Sequence, residues 1–146
     1  MKKWNVAIIG LGFVGKLHYD ALRRLPNVIL PGGCPMAQVP DWLYRCDVLL
    51  DFLRDDRTCD DLVSCRMLEY LATGRPVVSM LWPDQIEPLP DVVYGAHSDQ
   101  EFLTLCRHAL DEPPNFAAQR RSHAAAASWP LRCTQVVNIL TTAGLL

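Results

Sequence analysis

The chain has 146 residues, half of them hydrophobic, and its formal net charge at pH 7 is −2. This length and apolar fraction are typical of one globular domain with its own core, and we expect a single domain over residues 1–146. Because the charge is mixed and nearly balanced, the sequence lacks the basic field that nucleic acids or anionic membranes select, so we predict binding to neither.

No apolar run approaches the roughly 18 residues of a membrane-spanning helix, and the chain enters a short strand directly after its first residues. We therefore predict a cytoplasmic protein without a membrane span. Six cysteines form no Cys-x-x-Cys pair, and no histidine pair has metal-ligand spacing. This pattern favours reduced, mostly buried cysteines and no metal site, with a disulfide or a zinc site as the less favoured alternative.

A glycine-rich turn follows the first predicted strand, residues 6–9. Gly10, Gly12 and Gly15 form a G-x-G-x-x-G pattern between that strand and a helix. In this context, glycines let the backbone approach a phosphate, and the helix supplies N–H donors. Lys16 could add a cation. The pattern predicts phosphate binding at these four residues, although glycines at such a turn also serve close packing of helix and strand.

Residues 1–28 resemble the amino terminus of the Gfo/Idh/MocA oxidoreductases, including His18 and Tyr19 on the first helix. That resemblance implies NAD(P) as a cofactor. A dinucleotide site needs an acidic residue at the end of the second strand to hold the ribose. Here the second predicted strand, residues 27–30, is followed by proline and two glycines, and the Glu-Lys-Pro motif of that family is missing. An NAD(P)-binding oxidoreductase-like fragment therefore remains an alternative.

The middle of the chain predicts a strand, a helix and a second strand. Residues 47–52 form an apolar run bounded by polar residues, and apolar side chains recur at helical spacing within residues 61–73. Gly74 follows the last periodic residue, at the position where a left-handed helix cap favours glycine, and residues 77–81 have the pattern of a buried strand. This order indicates a βαβ crossover whose helix begins at the carboxyl end of a parallel strand. Ligands of open α/β sheets bind at that edge.

Residues 69–78 read Glu-Tyr-Leu-Ala-Thr-Gly-Arg-Pro-Val-Val, and Asp61 precedes Glu69 by eight positions. The phrase resembles the donor-binding, carboxyl-terminal half of retaining GT-B glycosyltransferases of family four. The resemblance implies that Glu69 binds the ribose hydroxyls of a nucleotide sugar. It also implies that Asp61, which replaces the usual Glu, faces the sugar. Arg66 stands where that family usually has Lys. Asp61 could instead serve as a helix N-cap, and Glu69 as a solvated helix residue.

The same resemblance extends from about residue 25 to residue 133, apart from one βα unit that this chain lacks. It includes Cys46-Asp47-Val48 and the phrase Ser-Trp-x-x-Arg at residues 128–132. Arg54 lies in the loop after the strand 47–52, near the presumed donor site. We interpret it either as a phosphate or sugar contact or as a solvated loop arginine. The sequence assigns no catalytic residue.

The carboxyl-terminal part is predicted to be mainly helical. Residues 98–101 form a capping box before a helix that ends at Pro113. Its predicted buried face comprises Phe102, Leu103, Leu105, Cys106 and Leu110. A further helical region is interrupted at Pro130, and the apolar tail, residues 131–146, should be helical at least through Leu140. We expect this tail either to form a symmetric dimer with a second copy or to fold back over the sheet.

These patterns predict the α/β class, as a three-layer Rossmann-like domain of about five mainly parallel strands. The leading functional hypothesis is the nucleotide-sugar-binding half of a GT-B-like glycosyltransferase that transfers a hexosyl group. The nucleotide-diphosphate sugar is then a substrate, and no resident cofactor is expected. Activity would require an acceptor-binding domain or a separate acceptor-binding subunit. Besides the oxidoreductase-like fragment, a non-catalytic flavodoxin-like binding module is the remaining alternative.

Overall fold

A computed structural model of the protein describes residues 20–26, 33–51, 65–80 and 92–146. Besides the helical residues 20–22, they contain six further helical segments and a small parallel sheet of three strands, which fits the predicted α/β class for this part of the chain. The residues group into two compact units, Met1–Asp47 and Val48–Leu146. The single domain expected from the sequence stays a prediction.

The described part of the first unit is helical. Residues 20–22 are helical, which fits the end of the helix predicted after the glycine turn. A short 3-10 turn, Met36–Gln38, leads into helix α1, Val39–Arg45. Pro40 lies in the first turn of α1, where a missing N–H breaks no helical hydrogen bond.

The second unit contains a parallel sheet. Its strands are β1 (Leu49–Asp51), β2 (Val77–Ser79) and β3 (Tyr94–Gly95), in the spatial order β1-β2-β3. Helix α2, Cys65–Thr73, lies between β1 and β2 in the chain, so the predicted strand, helix and strand order is confirmed. The strands predicted at residues 6–9 and 27–30 lie outside the described residues. The five-stranded, three-layer arrangement therefore stays a prediction.

Helix α2 ends at the predicted left-handed cap. Gly74 has φ of 76°, a conformation that a side chain would disfavour. The hydroxyl of Thr73 donates to the Tyr70 carbonyl at 2.6 Å and accepts the Arg75 N–H at 3.0 Å. These bonds satisfy backbone groups that the end of the helix leaves without helical partners, so the chain turns directly into β2.

Alternating residues of the three strands build one hydrophobic core with helix α3, Asp99–Leu110. Because successive strand residues point to opposite faces, one face presents every second residue. The side chains of this core come from the sheet and from α3: Val48, Leu50, Val78, Met80, Tyr94, Ala96, Phe102, Leu105, Cys106, Ala109 and Leu110. The intervening strand residues, among them Leu49 and Val77, are also buried.

The start of α3 is the predicted capping box. The Ser98 hydroxyl accepts the Glu101 N–H at 3.2 Å, and the Glu101 carboxylate accepts the His97 N–H at 2.8 Å. The prediction that Leu103 belongs to the buried face is wrong, because this side chain is 52 % exposed. It lies about 100° around the helix from Phe102, outside the stripe that faces the sheet.

Two helices complete the described chain. Helix α4, Phe116–Ala126, packs against α2, and helix α5, Trp129–Thr142, follows with Pro130 in its first turn. Helix α5 ends in a Schellman motif: Gly144 has φ of 68°, and the Leu145 N–H donates to the Leu140 carbonyl at 2.9 Å. This confirms a helix through Leu140. No residue of α5 is buried, so the structure does not show the tail folded over the sheet.

Among the described residues, no helix combines the length and the apolar character needed to cross a membrane.

Candidate functional site

The three parallel strands end at one edge of the sheet, and polar side chains collect there. Asp51 is the last residue of β1, and Ser79 is the last residue of β2. The Met80 N–H donates to the Asp51 carbonyl at 3.1 Å, and the Ala96 N–H donates to the Ser79 carbonyl at 2.8 Å, so the backbone ladder continues to this edge. The carboxyl edge of an open α/β sheet is where such folds bind ligands.

The first turn of α2 lies against the same edge. The Nε atom of Arg66 is 3.0 Å from the Oδ1 atom of Asp51, which makes an ion pair between helix and strand. The Asp51 side chain is fully buried, whereas 38 % of the Arg66 side chain is exposed. Arg66 is therefore fixed on its protein side and accessible on its solvent side. A cation held in this way at the start of a helix is suited to an anionic ligand.

The environment of Asp51 opposes its ionisation. Burial raises the pKa of the Asp51 carboxyl above the ordinary value of 3.8, and the positive charge of Arg66 and the nearby Ser79 hydroxyl lower it in part. The Ser79 side chain is fully buried as well. Whether Asp51 at the end of β1 is ionised therefore depends on the positive charge of Arg66.

Glu69 lies on α2 one turn after Arg66, and it is exposed to solvent. Residues three apart on a helix are neighbours on its surface. The structure thus brings Arg66 and Glu69 to one helix that begins at the carboxyl edge. An exposed carboxylate can accept hydrogen bonds from hydroxyl groups such as those of a ribose. The other predicted site residues lie outside the described residues: Gly10, Gly12, Gly15, Lys16, Arg54 and Asp61.

Sequence reasoning missed Asp51 and Ser79 as parts of this edge. Each is a polar residue that closes a short apolar strand, and both strands had been predicted to end at the ligand edge. That position was the signal that could have found them. In the described part of the chain, no group of three or more His, Cys, Asp or Glu side chains could hold a metal ion.

A second polar cluster joins Tyr94, Glu112 and Arg120. Arg120 is 1 % exposed; its Nε donates to the Val92 carbonyl at 2.8 Å, and its Nη1 donates to the Gly74 carbonyl at 3.3 Å. Nη1 also donates to Glu112 Oε1 at 2.6 Å, and Nη2 pairs with Oε2. The Tyr94 hydroxyl donates to Oε2 at 2.7 Å. Burial and the Glu112 carboxylate raise the pKa of Tyr94 to about 12, so the hydroxyl remains a donor.

This second cluster lies at the opposite edge of the sheet. Gly74 precedes β2 and Val92 precedes β3, so Arg120 bonds to the chain where it enters these strands. A cavity of about 330 Å³ adjoins the cluster and is lined by Val92, Val93, Tyr94, His108, Pro113, Phe116 and Arg120. Because the guanidinium already has protein acceptors, the cluster supports the fold, and the carboxyl edge is the candidate site.

Sequence comparison finds a similarity that extends over most of the chain. The chain is 25 % identical over 129 residues to a Bacillus subtilis (strain 168) protein named "Putative teichuronic acid biosynthesis glycosyltransferase TuaH". The aligned region covers 84 % of this chain and 32 % of that protein, so the chain spans about a third of the length of its relative. No family model and no solved structure matches the sequence. The chain is thus similar, over most of its own length, to part of a protein that is named as a glycosyltransferase.

Proposed function

We propose that this chain is the nucleotide-sugar-binding half of a GT-B-like glycosyltransferase. The observation that carries the proposal is the carboxyl edge, where the Arg66–Asp51 pair anchors the start of α2 and Glu69 is exposed one turn later. The similarity to a glycosyltransferase supports it independently. An anionic, hydroxyl-rich ligand such as a nucleotide-diphosphate sugar matches a cation and a carboxylate placed side by side.

Each residue of the proposed site has a role in binding. Glu69 accepts hydrogen bonds from the ribose hydroxyls of the donor. From the sequence motifs alone, we assign contacts with the diphosphate to Gly12 and Lys16 and contacts with the sugar to Asp61 or Arg54. The positive end of the α2 dipole adds to the attraction for the diphosphate. The site binds the donor without a resident cofactor.

Hexosyl transfer needs more than the donor half. Because the chain spans about a third of its relative, we assign the acceptor and part of the chemistry to a separate domain or subunit. The chain alone should therefore bind the donor without turnover. Its predicted location is the cytoplasm, where nucleotide sugars would be the available donors.

Ligand-dependent melting tests the proposed ligand class. We expect uridine or guanosine diphosphate sugars to raise the melting temperature of the chain more than NAD(H) or NADP(H) does. A ligand present at a hundred times its dissociation constant should stabilise the fold by about 2.7 kcal/mol. A larger shift with either dinucleotide would overturn the proposal in favour of the oxidoreductase-like alternative, and no shift with any of them would favour the non-catalytic module.

The variant Glu69→Ala tests the site itself. It should abolish the shift with the nucleotide sugar and leave the melting temperature without ligand nearly unchanged, because Glu69 is exposed. Asp111→Ala is the matched control, since this exposed carboxylate follows the end of α3, away from the carboxyl edge. Unchanged binding in Glu69→Ala would remove Glu69 from the site.

A further inference from the structure

Helix α5 exposes an apolar seam. Trp129, Cys133, Val136, Leu140 and Ala143 follow one another at intervals of four, three, four and three residues. This is the a and d spacing of a helix that packs along another helix. Trp129, Cys133, Val136 and Ala143 are exposed and Leu140 is half-buried, and nothing in the described chain covers this seam.

The seam is free of formal charge. Arg132 is the one charged residue in residues 129–146; it flanks the seam beside Cys133, and its guanidinium donates to the Gln135 side chain at 3.2 Å. The hydroxyls of Thr134 and Thr141 donate to carbonyls of their own helix at 3.0 and 2.9 Å. Two copies of α5 can therefore meet along their seams without bringing like charges together.

The exposed apolar surface around the seam is large enough to form the core of a dimer interface. Six large apolar side chains of α5 and the residues after it are 50 to 79 % exposed: Trp129, Val136, Val137, Ile139, Leu145 and Leu146. Trp129 and Val136 lie on the seam, whereas Val137 and Ile139 flank it on its two sides. At on the order of 100 Å² each, these four side chains present about 400 Å² of apolar surface, which is half of the roughly 800 Å² per partner of a standard interface. Apolar patches of a few hundred Å² or more often mark interaction sites.

We propose that α5 pairs with α5 of a second copy in an antiparallel, two-fold symmetric arrangement. Read in opposite directions, the two seams set Trp129 against Ala143 and Cys133 against Leu140, with Val136 on the symmetry axis. Two of the layers then combine a large side chain with a small one, and the layer on the axis contains two side chains of intermediate size. Such layers can pack closely. A parallel pair would instead oppose Trp129 to Trp129 and Ala143 to Ala143. The antiparallel pair also aligns opposite helix dipoles.

Light scattering of the full chain at micromolar concentration measures whether it forms a dimer. We expect a dimer for the natural sequence and a monomer for Val136→Lys, which brings two ammonium groups together on the axis. Asn138→Lys is the matched control, because it adds the same charge to the opposite face of α5 and should leave the dimer intact. A monomeric natural chain would overturn the proposal, as would a dimer that Val136→Lys does not disrupt.

A second experiment tests whether the two α5 helices are antiparallel. Ala143→Trp should weaken the dimer, because two tryptophans then meet in one layer, and adding Trp129→Ala should restore it. A parallel pair predicts no such rescue, since its natural sequence already opposes two tryptophans. Efficient disulfide formation between the two Cys133 residues of the natural dimer would also overturn the antiparallel arrangement, and circular dichroism would confirm that each variant remains helical.

Discussion

Asp51 is a carboxylate that the fold buries completely at the end of a strand. Burial makes its ionised form costly, and the Arg66 guanidinium 3.0 Å away offsets part of that cost. Arg66 can point to solvent if the pair breaks, but Asp51 cannot. The two residues therefore respond differently to substitution, even though they share one ion pair.

Removing the carboxylate should change the pH dependence of stability. The pKa of Asp51 is higher in the folded state than in the unfolded state. Between the two pKa values, the folded state therefore binds more protons than the unfolded state. The contribution of Asp51 to the unfolding free energy consequently falls as the pH rises through its folded-state pKa. We expect Asp51→Asn to match the natural protein near pH 4 and to become relatively more stable toward pH 7. Urea unfolding across this range measures the difference.

Arg66→Met is the partner variant, and its effect should have the opposite sign. Without the positive charge, the pKa of Asp51 rises further, and the loss of unfolding free energy relative to the natural protein should grow with pH to about 1–3 kcal/mol near neutrality. In the double variant with Asp51→Asn, this pH-dependent loss should disappear. A pH-independent loss in Arg66→Met would contradict the role given to the ion pair.

At the scale of elements, two helices end with a glycine in the same left-handed conformation but in different surroundings. Gly74 closes α2 with φ of 76°, and Gly144 closes α5 with φ of 68°. A Cβ atom on Gly74 would lie 3.0 Å from the Ala117 carbonyl oxygen of α4 and would also collide with the Arg121 side chain. A Cβ atom on Gly144 would have nothing within 4 Å.

Alanine substitutions at these two glycines therefore distinguish the cost of backbone strain from the cost of a steric clash. Gly144→Ala should cost about 1 kcal/mol of unfolding free energy, because the new Cβ atom meets no neighbour and the left-handed backbone strain is the only penalty. Gly74→Ala adds a contact with the backbone of α4, and we expect a loss of about 2–3 kcal/mol. Thermal unfolding of both variants measures the difference. Equal losses would mean that α4 moves away from Gly74 at no cost.

The cap at Gly74 and the capping box at Ser98 show what local sequence rules can predict. The left-handed end at Gly74 and the capping box at Ser98 depend on residues within one helical turn, and both were predicted correctly. The buried face of α3 was predicted except for Leu103, because apolar identity alone does not fix which side of a helix meets the sheet. The ion pair of Asp51 with Arg66 was not predicted, since it joins residues that are fifteen positions apart in the sequence.

At the scale of the unit Val48–Leu146, one side chain connects segments that are far apart in the sequence. Arg120 on α4 bonds to Gly74 between α2 and β2, to Val92 before β3, and to Glu112 between α3 and α4. No local pattern marks this arginine, because its partners are 8 to 46 residues away. The fold nevertheless buries Arg120, which is 1 % exposed.

Replacing Arg120 should destabilise the unit as a whole. Arg120→Met leaves the Glu112 carboxylate buried without its cation and removes the donors to two carbonyls, so we expect a loss of about 3–5 kcal/mol. Arg121→Met on the same helix is the control, because this arginine is exposed, and its loss should stay within about 0.5 kcal/mol. Urea unfolding followed by circular dichroism measures both.

A double variant shows whether Arg120→Met destabilises the unit through the unpaired Glu112 carboxylate or through the lost hydrogen bonds. Adding Glu112→Gln to Arg120→Met removes the uncompensated carboxylate and keeps an acceptor for the Tyr94 hydroxyl. If the buried charge causes most of the loss, the double variant should be more stable than Arg120→Met alone. If the two are equally unstable, the bonds from Arg120 to the Gly74 and Val92 carbonyls hold the unit together, and the charge of Glu112 contributes little.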